Sequence, residues 1–246
     1  MNIPPIAMLH HVSDDPVHST LGEYCIQRKS FSRLLDYLEK HQYKTITFRE
    51  ITEGISLPKK GKTIILTFDD CSRKLFDFAI PELVKHKQKA CFYMPTAHLG
   101  QTNSWDVAEG RAKMELMNET DLKELHNLGM EVGSHSHHHI KLAACTTDTV
   151  KQEVWTSKQF LESILPVTMV SFSYPFASVP ENYKDILLNA GFSFGLSIYQ
   201  PNIDKLALRR FGYYDKDVER RLHFKLSNTY KWYRSLSDPF KKYNKN

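Results

Sequence analysis

The feature that most constrains the fold is an alternation, along the whole chain, between short apolar runs and segments of helical periodicity. Residues 63–68 read TIILTF, which is apolar and β-branched on both faces, as in a strand buried within a parallel sheet. Apolar residues at helical spacing occupy 31–38 and recur over 150–164. Strands that alternate with helices in this way favour parallel pairing through crossover helices.

The number of these units narrows the choice of fold. About six or seven strand and helix units fit the chain, which predicts an α/β fold, a distorted (β/α) barrel of about seven parallel strands, rather than an open doubly wound sheet. No predicted strand precedes the glycine-rich phosphate loop of nucleotide-binding open sheets. The 246 residues and 41% hydrophobic content suit a single domain over residues 1–246. In such a barrel, chemistry is expected where strands end.

Periodicity and turn residues set approximate bounds for the elements. Ser30 is the predicted N-cap of the first helix, and Pro81 fits the helix over 78–87 because it lies near its first turn. Further helices are predicted over 118–128, 150–164 and 183–189. Strands are predicted at 6–9, 43–48, 63–68, 90–94, 130–133, 169–174 and 192–198.

Composition argues against several classes of protein. No stretch reaches the roughly 20 apolar residues that span a bilayer, and the N-terminus has no basic start, so we expect neither a membrane span nor a signal peptide. This favours a cytoplasmic location, or an extracytoplasmic one if a leader has been trimmed. The four cysteines form no CxxC pair, so neither a disulfide framework nor a zinc knuckle is predicted.

The modest net charge of +5 lies partly in a basic, aromatic tail that starts near residue 225. Segments of this kind bind nucleic acid or anionic lipid in some proteins. We predict instead a helix that packs its aromatic side chains on the body and keeps its lysines in water. No nucleic-acid partner is therefore expected.

Two adjacent carboxylates, Asp69 and Asp70, follow the predicted strand at 63–68. Both cannot remain ionised in a dry site without a cation or a proton nearby. A helix cap or a solvated position would also accommodate the pair, so it is a weak signal alone.

A run of histidines follows the predicted strand at 130–133, in the sequence GSHSHHH over 133–139. Crowded imidazoles are costly to charge, and in their neutral form they suit zinc and other borderline transition metals. His135 and His139 are spaced to face one centre, whereas His137 and His138 need not take part. A solvated histidine run is the alternative.

Together these two clusters provide the ligand set of a hydrolytic metal site. Asp70, His135 and His139 supply one carboxylate and two imidazoles, and water completes the shell of such sites. Asp69 is then free to act as general base toward that water. One divalent transition metal is predicted, with zinc as the default and nickel, cobalt or iron compatible with the same ligands.

A third strand end carries the sequence FSYPF over 172–176. The backbone N–H of Phe176 is a candidate oxyanion donor, although such segments also serve as rim packing in barrels. Tyr174 and Trp105 are candidate substrate-binding residues. Trp105, in the loop after the predicted strand at 90–94, is placed either to stack on a pyranose ring or to pack locally.

In their order and separation, these clusters resemble the polysaccharide deacetylase family, which is carbohydrate esterase family four and is also called the NodB-homology domain. The resemblance covers most of the chain and is closest to the branch that deacetylates poly-N-acetylglucosamine. It is carried by Met8-Leu9-His10-His11-Val12, Thr67-Phe68-Asp69-Asp70, Glu131 to His139 and Phe172-Ser173-Tyr174-Pro175-Phe176.

The resemblance implies a distorted barrel that hydrolyses an N-acetyl group, or less readily an O-acetyl group, on a polysaccharide or glycan precursor. An acetylated sugar is thus the expected partner. The resemblance also implies that Asp70, His135 and His139 bind the metal, that Asp69 is the base, and that the N–H of Phe176 holds the oxyanion.

Three departures from the family pattern bear on catalysis. Ser173 occupies the place where many members carry an arginine that orients the base. Cys71 replaces the usual glycine, either as a packed small residue or as a nucleophile for another chemistry. No clear Leu-x-His motif lies near the end of the predicted barrel, where the family usually carries its general acid, and loss of such an acid typically costs roughly 10²–10⁴ in rate. His10, at the end of the first strand, is the candidate substitute.

Two alternative functions stay open. Without its usual general acid, the chain could be a metal- and carbohydrate-binding homologue that has lost turnover. The same site could also hydrolyse a non-sugar amide. Release of acetate from acetylated sugars would separate these alternatives from a deacetylase.

Overall fold

The computed structural model describes residues 3–55, 62–200 and 204–243, with side chains as far as Asp238. The strands are β1 (Ile6–Leu9), β2 (His11–Val12), β3 (Cys25–Ile26), β4 (Tyr43–Thr45), β5 (Lys62–Asp69), β6 (Cys91–Met94), β7 (Glu131–Ser134), β8 (Ser171–Ser173), β9 (Phe194–Ser197), β10 (Leu208–Arg209) and β11 (Phe211–Gly212). The α-helices are α1 (Arg28–Lys40), α2 (Phe48–Thr52), α3 (Ala79–Lys85), α4 (Ser104–Ala108), α5 (Glu119–Asn127), α6 (Thr147–Ile164), α7 (Tyr183–Asn189), α8 (Glu219–Lys225) and α9 (Asn228–Tyr243).

A nearly closed barrel of parallel strands forms the body of the molecule. Hydrogen bonding follows the order β10, β9, β8, β7, β6, β5, β1 and β11, and the paired strands along this path are parallel. Only Arg210 separates β10 from β11, so a single stretch of chain pairs with β9 and with β1 and joins the two edges. The predicted barrel is confirmed, and its strands number seven if β10 and β11 count as one.

Side-chain alternation along β5 separates the interior of the barrel from the helical layer. Ile65 packs in an interior cluster that also contains Tyr93 and Phe194. Leu66 belongs to the larger core formed with the helices. Asp69 lies four residues after Ile65 in β5 and therefore on the same, inward face. The carboxyl end of β5 thus places a carboxylate in the interior of the barrel.

Close packing fixes the strand that leads into the histidine run. Gly133, in β7, faces Tyr93, and a Cβ at this position would lie 2.4 Å from Cε1 of that ring and 2.9 Å from Oγ of Ser171. Any side chain at residue 133 would force the buried Tyr93 ring and the Ser171 hydroxyl to move. The absence of a Cβ therefore lets β7 hold the start of the histidine loop tightly against the barrel.

The predicted helices occur, with some differences in their bounds. α5 begins at the expected cap, where the side chains of Asn118 and Asp121 each accept a hydrogen bond from the backbone N–H of the other. Pro81 lies in the first turn of α3, as predicted. The prediction that Ser30 caps the first helix is wrong, because α1 already begins at Arg28. The first turn of α1 is polar, so a prediction based on the spacing of apolar residues does not detect it.

The prediction of a strand over 43–48 is confirmed for 43–45 and wrong for the rest. β4 ends at Thr45, and Thr47 caps the short helix α2, its hydroxyl accepting from the N–H of Glu50. Phe48 then packs against Phe194 inside the barrel, with ring centroids 4.9 Å apart. β-Propensity alone could not reveal that this apolar segment turns inward as a helix.

The tail forms the predicted helix, α9, but its packing differs in part from the expectation. Tyr230 packs on Phe211 as expected, with centroids 6.2 Å apart. Trp232 is 65% exposed, however, while Arg234 is only 6% exposed. A basic side chain therefore enters the protein where an aromatic one was expected. Residues 244–246 of the predicted tail lie outside the described residues.

Among the described residues, no helix combines the length and the apolar character that crossing a membrane requires. All four cysteines are free thiols.

Candidate active site

The predicted carboxylates lie in a strained turn at the carboxyl end of β5. Asp69 is the last residue of the strand, and Asp70 and Cys71 have left-handed backbone, with φ of 70° and 52°. Asp69 is 3% exposed and Asp70 is 5% exposed. Non-glycine residues in this conformation are costly and concentrate at functional sites. The same backbone region is occupied by Ser136, His139, Phe176 and Ala177.

The histidine loop brings two imidazoles onto Asp70. Oδ1 of Asp70 lies 3.5 Å from Nε2 of His135 and 3.2 Å from Nε2 of His139. Nδ1 of His135 donates to the carbonyl oxygen of Ser173 at 2.7 Å. Because a carbonyl can only accept, this bond places the proton of neutral His135 on Nδ1 and leaves Nε2 free on the side of Asp70.

Asp70, His135 and His139 are arranged to hold a metal ion. Each offers one ligand atom, and these atoms lie within 4.8 Å of one another. Oδ1 of Asp70 is buried and has no hydrogen-bond partner in the described part of the chain. An unpaired buried oxygen is costly, and a divalent cation at this point would satisfy it. The predicted ligand set therefore fits a metal.

A second group, His11, Asp70 and Asp106, meets the same distance criterion. Its carboxylate Asp106 is already engaged, since Oδ1 accepts from Arg111 at 2.9 Å and Oδ2 accepts from Asn103 at 3.1 Å. The first group has two uncommitted imidazole nitrogens around one carboxylate oxygen and is the better metal site.

Burial sets the charge states of the first group. It raises the pKa of Asp70 to about 6, with the neighbouring Asp69 adding to the rise. Burial lowers the pKa of His139 to about 3, and it also lowers the pKa of His135. Both imidazoles are therefore neutral near pH 7, which is the form that binds metals.

The other two histidines of the run hold the loop and do not join the metal group. The backbone N–H groups of His137 and His138 both donate to Oε2 of Glu153, at 3.0 and 2.8 Å. Nδ1 of His138 lies 2.6 Å from Oε1 of the same carboxylate. Nδ1 of His137 lies 2.8 Å from the hydroxyl of Thr96. Glu153, on α6, thus fixes the loop that carries the two metal-ligand candidates.

An arginine that was not predicted, Arg210, binds Asp69 through two hydrogen bonds. They measure 2.7 Å from NH1 to Oδ1 and 2.6 Å from NH2 to Oδ2. Burial by itself raises the pKa of Asp69, but the charge and the hydrogen bonds of Arg210 outweigh this effect and hold the pKa well below its usual range. Asp69 is therefore ionised at neutral pH.

Arg210 contacts Asp69 as expected of the arginine that many family members carry at the position of Ser173. The hydroxyl of Ser173 lies 3.3 Å from both oxygens of Asp69 and accepts from NH2 of Arg210 at 3.0 Å. The small side chain leaves room for a guanidinium that comes from the junction of β10 and β11. The sequence did contain a signal for this arginine: two adjacent arginines lie within the apolar run at 206–211. A charged side chain in a buried strand needs a partner of opposite charge, so one of these arginines could have been paired with a buried carboxylate.

The site opens into a cavity of about 690 Å³, and His10 lies on its wall together with both aspartates. The His10 ring meets the edge of Tyr24, with centroids 4.8 Å apart. Burial lowers the pKa of His10, while the charges of Asp70 and Asp69 oppose this shift. His10 is therefore near the base and the metal-ligand candidates, where a substitute acid would have to be.

Trp105 stacks on one of the metal-ligand candidates. The centroids of Trp105 and His139 are 3.9 Å apart and the rings are inclined by 29°. The Phe176 ring lies 4.7 Å from the same imidazole. Tyr174 is 1% exposed and its hydroxyl donates to the carbonyl of Leu206 at 2.8 Å, so little of this side chain reaches the cavity. The substrate-binding roles of Trp105 and Tyr174 stay predictions.

Cys71 lies buried beside the aspartates. Burial raises the pKa of its thiol well above the usual range, and the charges of Asp70 and Asp69 add to the rise. A thiol that stays protonated is a poor nucleophile. These surroundings favour the packing role.

Comparison with known proteins identifies the family of the chain. The polysaccharide deacetylase family model matches residues 56–195, more than half of the chain. The matched segment includes Asp69, Asp70, His135 and His139. The chain belongs to the polysaccharide deacetylase family.

Relatives of this chain include a curated protein of Staphylococcus aureus (strain MRSA252), named poly-beta-1,6-N-acetyl-D-glucosamine N-deacetylase. It is 22% identical over 191 residues, which cover 72% of this chain. The matched part spans 62% of that relative's own length.

Solved structures share the fold. The Streptococcus pyogenes deacetylase PplD, in complex with acetate, superimposes with a TM-score of 0.78 at 21% identity, covering 91% of this chain and 98% of that one. IcaB from Ammonifex degensii gives a TM-score of 0.70 at 20% identity, covering 91% and 97%. Arg210 of this chain lies beyond the segment that the family model matches.

Proposed function

We propose that this polysaccharide deacetylase removes acetyl groups from an N-acetylated glycan or glycan precursor by metal-dependent hydrolysis. The observation that carries the proposal is the cluster of Asp70, His135 and His139 beside an ionised, arginine-held Asp69. A carboxylate and two neutral imidazoles at one point, next to a second carboxylate, suit hydrolysis better than binding alone.

Asp70, His135 and His139 would hold one divalent metal, with zinc the default and nickel, cobalt or iron compatible with the same donors. When bound, such an ion polarises the acetyl carbonyl and makes a nearby water more acidic. The donation from Nδ1 of His135 to the Ser173 carbonyl orients the imidazole and keeps Nε2 available.

Asp69 would take the proton from the attacking water. Its two bonds to Arg210 keep it ionised and fix its orientation, so the carboxylate is ready to accept a proton at neutral pH. The remaining hydroxide adds to the acetyl carbon, and the carbonyl oxygen becomes an oxyanion. The backbone N–H of Phe176 would donate to that oxyanion.

Collapse of this intermediate breaks the bond between the acetyl carbon and the amide nitrogen. The leaving nitrogen must gain a proton, and His10 is the group we assign to deliver it. Because burial lowers the pKa of His10, the ring is neutral at rest, so it would first take up the proton that Asp69 accepted from water and then pass it to the amine, which returns Asp69 to its ionised form. The products are acetate and a free amino sugar.

An N-acetylglucosamine polymer is the substrate class that the curated relatives support, since their names specify poly-beta-1,6-N-acetyl-D-glucosamine. Trp105 lines the cavity and would be one contact for a pyranose ring. Because His139 stacks on the Trp105 ring, a sugar would contact only the part of the indole surface that the imidazole does not cover.

The first experiment measures metal content by mass spectrometry on untagged protein, with His139→Ala as control. About one equivalent in the wild type and none in the variant supports the site. Acetate release is then assayed on N-acetylglucosamine oligomers of β-1,6 and β-1,4 linkage, with Asp69→Asn as the inactive control.

Each outcome of these assays assigns a function. Metal retention with acetate release supports a deacetylase. Metal retention and sugar binding without acetate release would favour the alternative of a binding homologue. Acetate release from simple amides but from no sugar would favour an amidohydrolase. Failure to bind zinc, nickel, cobalt or iron would overturn the metal-dependent mechanism.

A further inference from the structure

We propose that helix α9 belongs to the catalytic apparatus: Asp238 and Arg234 fix the main chain at Arg210 and thereby the position of Asp69. This inference rests on the proposed function, because it gives the helix a role in the same reaction. Neither the helix nor Arg210 lies within the segment that the family model matches.

One buried carboxylate on α9 holds two arginines. Oδ1 of Asp238 lies 2.6 Å from Nε of Arg234, and Oδ2 lies 3.2 Å from Nε of Arg209. Asp238 is 1% exposed and Arg234 is 6% exposed. Burying such charges costs more than burying apolar side chains of similar size. General stability therefore does not explain why the helix turns an arginine and an aspartate inward.

The two arginines hold three main-chain carbonyls on the wall of the catalytic cavity. Arg234 donates from NH2 to the carbonyl of Ile198 at 2.7 Å and from NH1 to that of Arg210 at 3.3 Å. Arg209 donates from Nε to the carbonyl of Gln200 at 2.6 Å. Ile198, Gln200 and Arg210 all line the cavity.

This restraint reaches Asp69 through Arg210. The carbonyl of Arg210 accepts from Arg234, and its N–H donates to the carbonyl of Ser197 at 3.0 Å. The strands on either side, β10 and β11, have two residues each, so sheet pairing alone restrains this segment little. α9 supplies the missing restraint at the residue whose side chain orients the base.

Asp238 and Arg234 are positioning residues in this scheme. Among the described residues they contact the main chain, Tyr230, Arg209 and each other, and none of these contacts is with a metal-ligand candidate. Changing them should therefore alter how Asp69 works without removing the metal. A displacement of about 1 Å in a catalytic group is enough to cost up to roughly 10²-fold in rate.

The test is Asp238→Asn, which keeps the size of the side chain and removes its charge. We expect kcat for acetate release to fall at least about tenfold, with bound metal unchanged and KM within about threefold. This split, a lower kcat with KM and bound metal retained, separates a loss of positioning from a general loss of structure.

Arg234→Lys provides a second variant in case Asp238→Asn does not fold. It keeps the positive charge but loses the planar fork that reaches two carbonyls. It should lower kcat in the same way as Asp238→Asn, by a smaller amount, with bound metal unchanged.

The matched control is Glu162→Gln on α6. Glu162 pairs at 2.8 Å with Lys158, four residues earlier, and Lys158 is 7% exposed and donates to the carbonyl of Met169 at 2.6 Å. This anchor likewise joins a carboxylate and a buried basic side chain to a main-chain carbonyl, but Glu162 is 31% exposed and neither residue lines the catalytic cavity. Glu162→Gln should lower Tm and leave kcat unchanged. If Asp238→Asn behaves in the same way, the inference is overturned.

Hydrogen exchange separates this inference from the proposed function. If the wild type releases no acetate, the proposed function fails, but the restraint on Arg210 is still measurable. Amides at 206–213 should exchange faster in Asp238→Asn than in the wild type or in Glu162→Gln. Equal protection at 206–213 in all three proteins would overturn the inference.

Discussion

Arg210 and Asp69 are joined by two parallel hydrogen bonds of 2.7 and 2.6 Å, although 141 residues separate them along the chain. Their side chains are 1% and 4% exposed. A buried pair of this kind adds little net stability compared with apolar residues, whereas removing one partner leaves an unpaired buried charge. The arrangement therefore makes sense as a means of keeping the base ionised and oriented.

Replacing Arg210 with Met should lower the free energy of unfolding by about 3–5 kcal/mol, because Asp69 is left buried without its counter-charge. Adding Asp69→Asn should restore part of this loss, since the amide carries no charge to leave unpaired. Urea unfolding of the metal-free proteins, compared as a double-mutant cycle, measures the coupling.

An ion pair whose arginine is exposed to solvent provides the control for that cycle. Arg73 lies 3.2 Å from Asp121 with its side chain 55% exposed. Arg73→Met should cost no more than about 1 kcal/mol. Equal losses for Arg73→Met and Arg210→Met, or no recovery in the double variant, would contradict the role assigned to the buried pair.

The stacking of Trp105 on His139 predicts an effect on the metal as well as on the substrate. Trp105→Ala should weaken metal affinity by about 10- to 100-fold, because the imidazole loses the surface that holds its orientation. Trp105→Phe should retain most of the affinity. Competition with a chelating dye measures both. Trp155, 42% exposed on α6, supplies the control Trp155→Ala. Unchanged metal affinity in Trp105→Ala would leave sugar stacking as its role.

Metal affinity should depend on pH through Asp70. Burial raises the pKa of Asp70 to about 6, and the metal requires the carboxylate form. Affinity should therefore be constant above this pKa and fall by about tenfold for each pH unit below it, as protons compete for one ligand. The imidazoles should add nothing until lower pH, because burial lowers the pKa of His135 and His139.

Calorimetric titration of the metal-free protein across this range tests the expectation. A slope of one proton per metal below the pKa of Asp70 would agree with it. A slope of two protons would show that a histidine also titrates there. No change of affinity with pH would mean that Asp70 is not a ligand.

The sequence was sufficient for those parts of the site that are local in the chain. Asp69 and Asp70 follow an apolar strand directly, and His135 and His139 follow the next strand but one, so strand ends alone indicate that they meet. The barrel brings them within a few ångströms because parallel strands present their carboxyl ends at one rim. Local pattern and fold class together were enough here.

Arg210 could not be found in this way, because its partner lies on a strand far away in sequence. The family motif places the arginine at the position that Ser173 occupies here. A search with that motif does not detect an arginine that comes from the junction of β10 and β11. The helix α2 was missed for a related reason: its cap at Thr47 lies inside a segment of high β-propensity, and burial of Phe48 decides the outcome. Contacts between residues that only tertiary packing brings together are therefore hard to predict from the local sequence.

The position of His10 gives the most direct prediction about the general acid. His10→Gln should lower kcat by roughly 10²–10⁴ and leave the metal in place, because the leaving amine loses its proton donor while the ligand set is untouched. Acetate release and metal content, measured on the same preparation, test both halves. His126→Gln, in the last turn of α5, is the control and should keep full activity. Unchanged turnover in His10→Gln with the metal retained would remove His10 from the mechanism, and loss of the metal would show that His10 supports the ligand set instead.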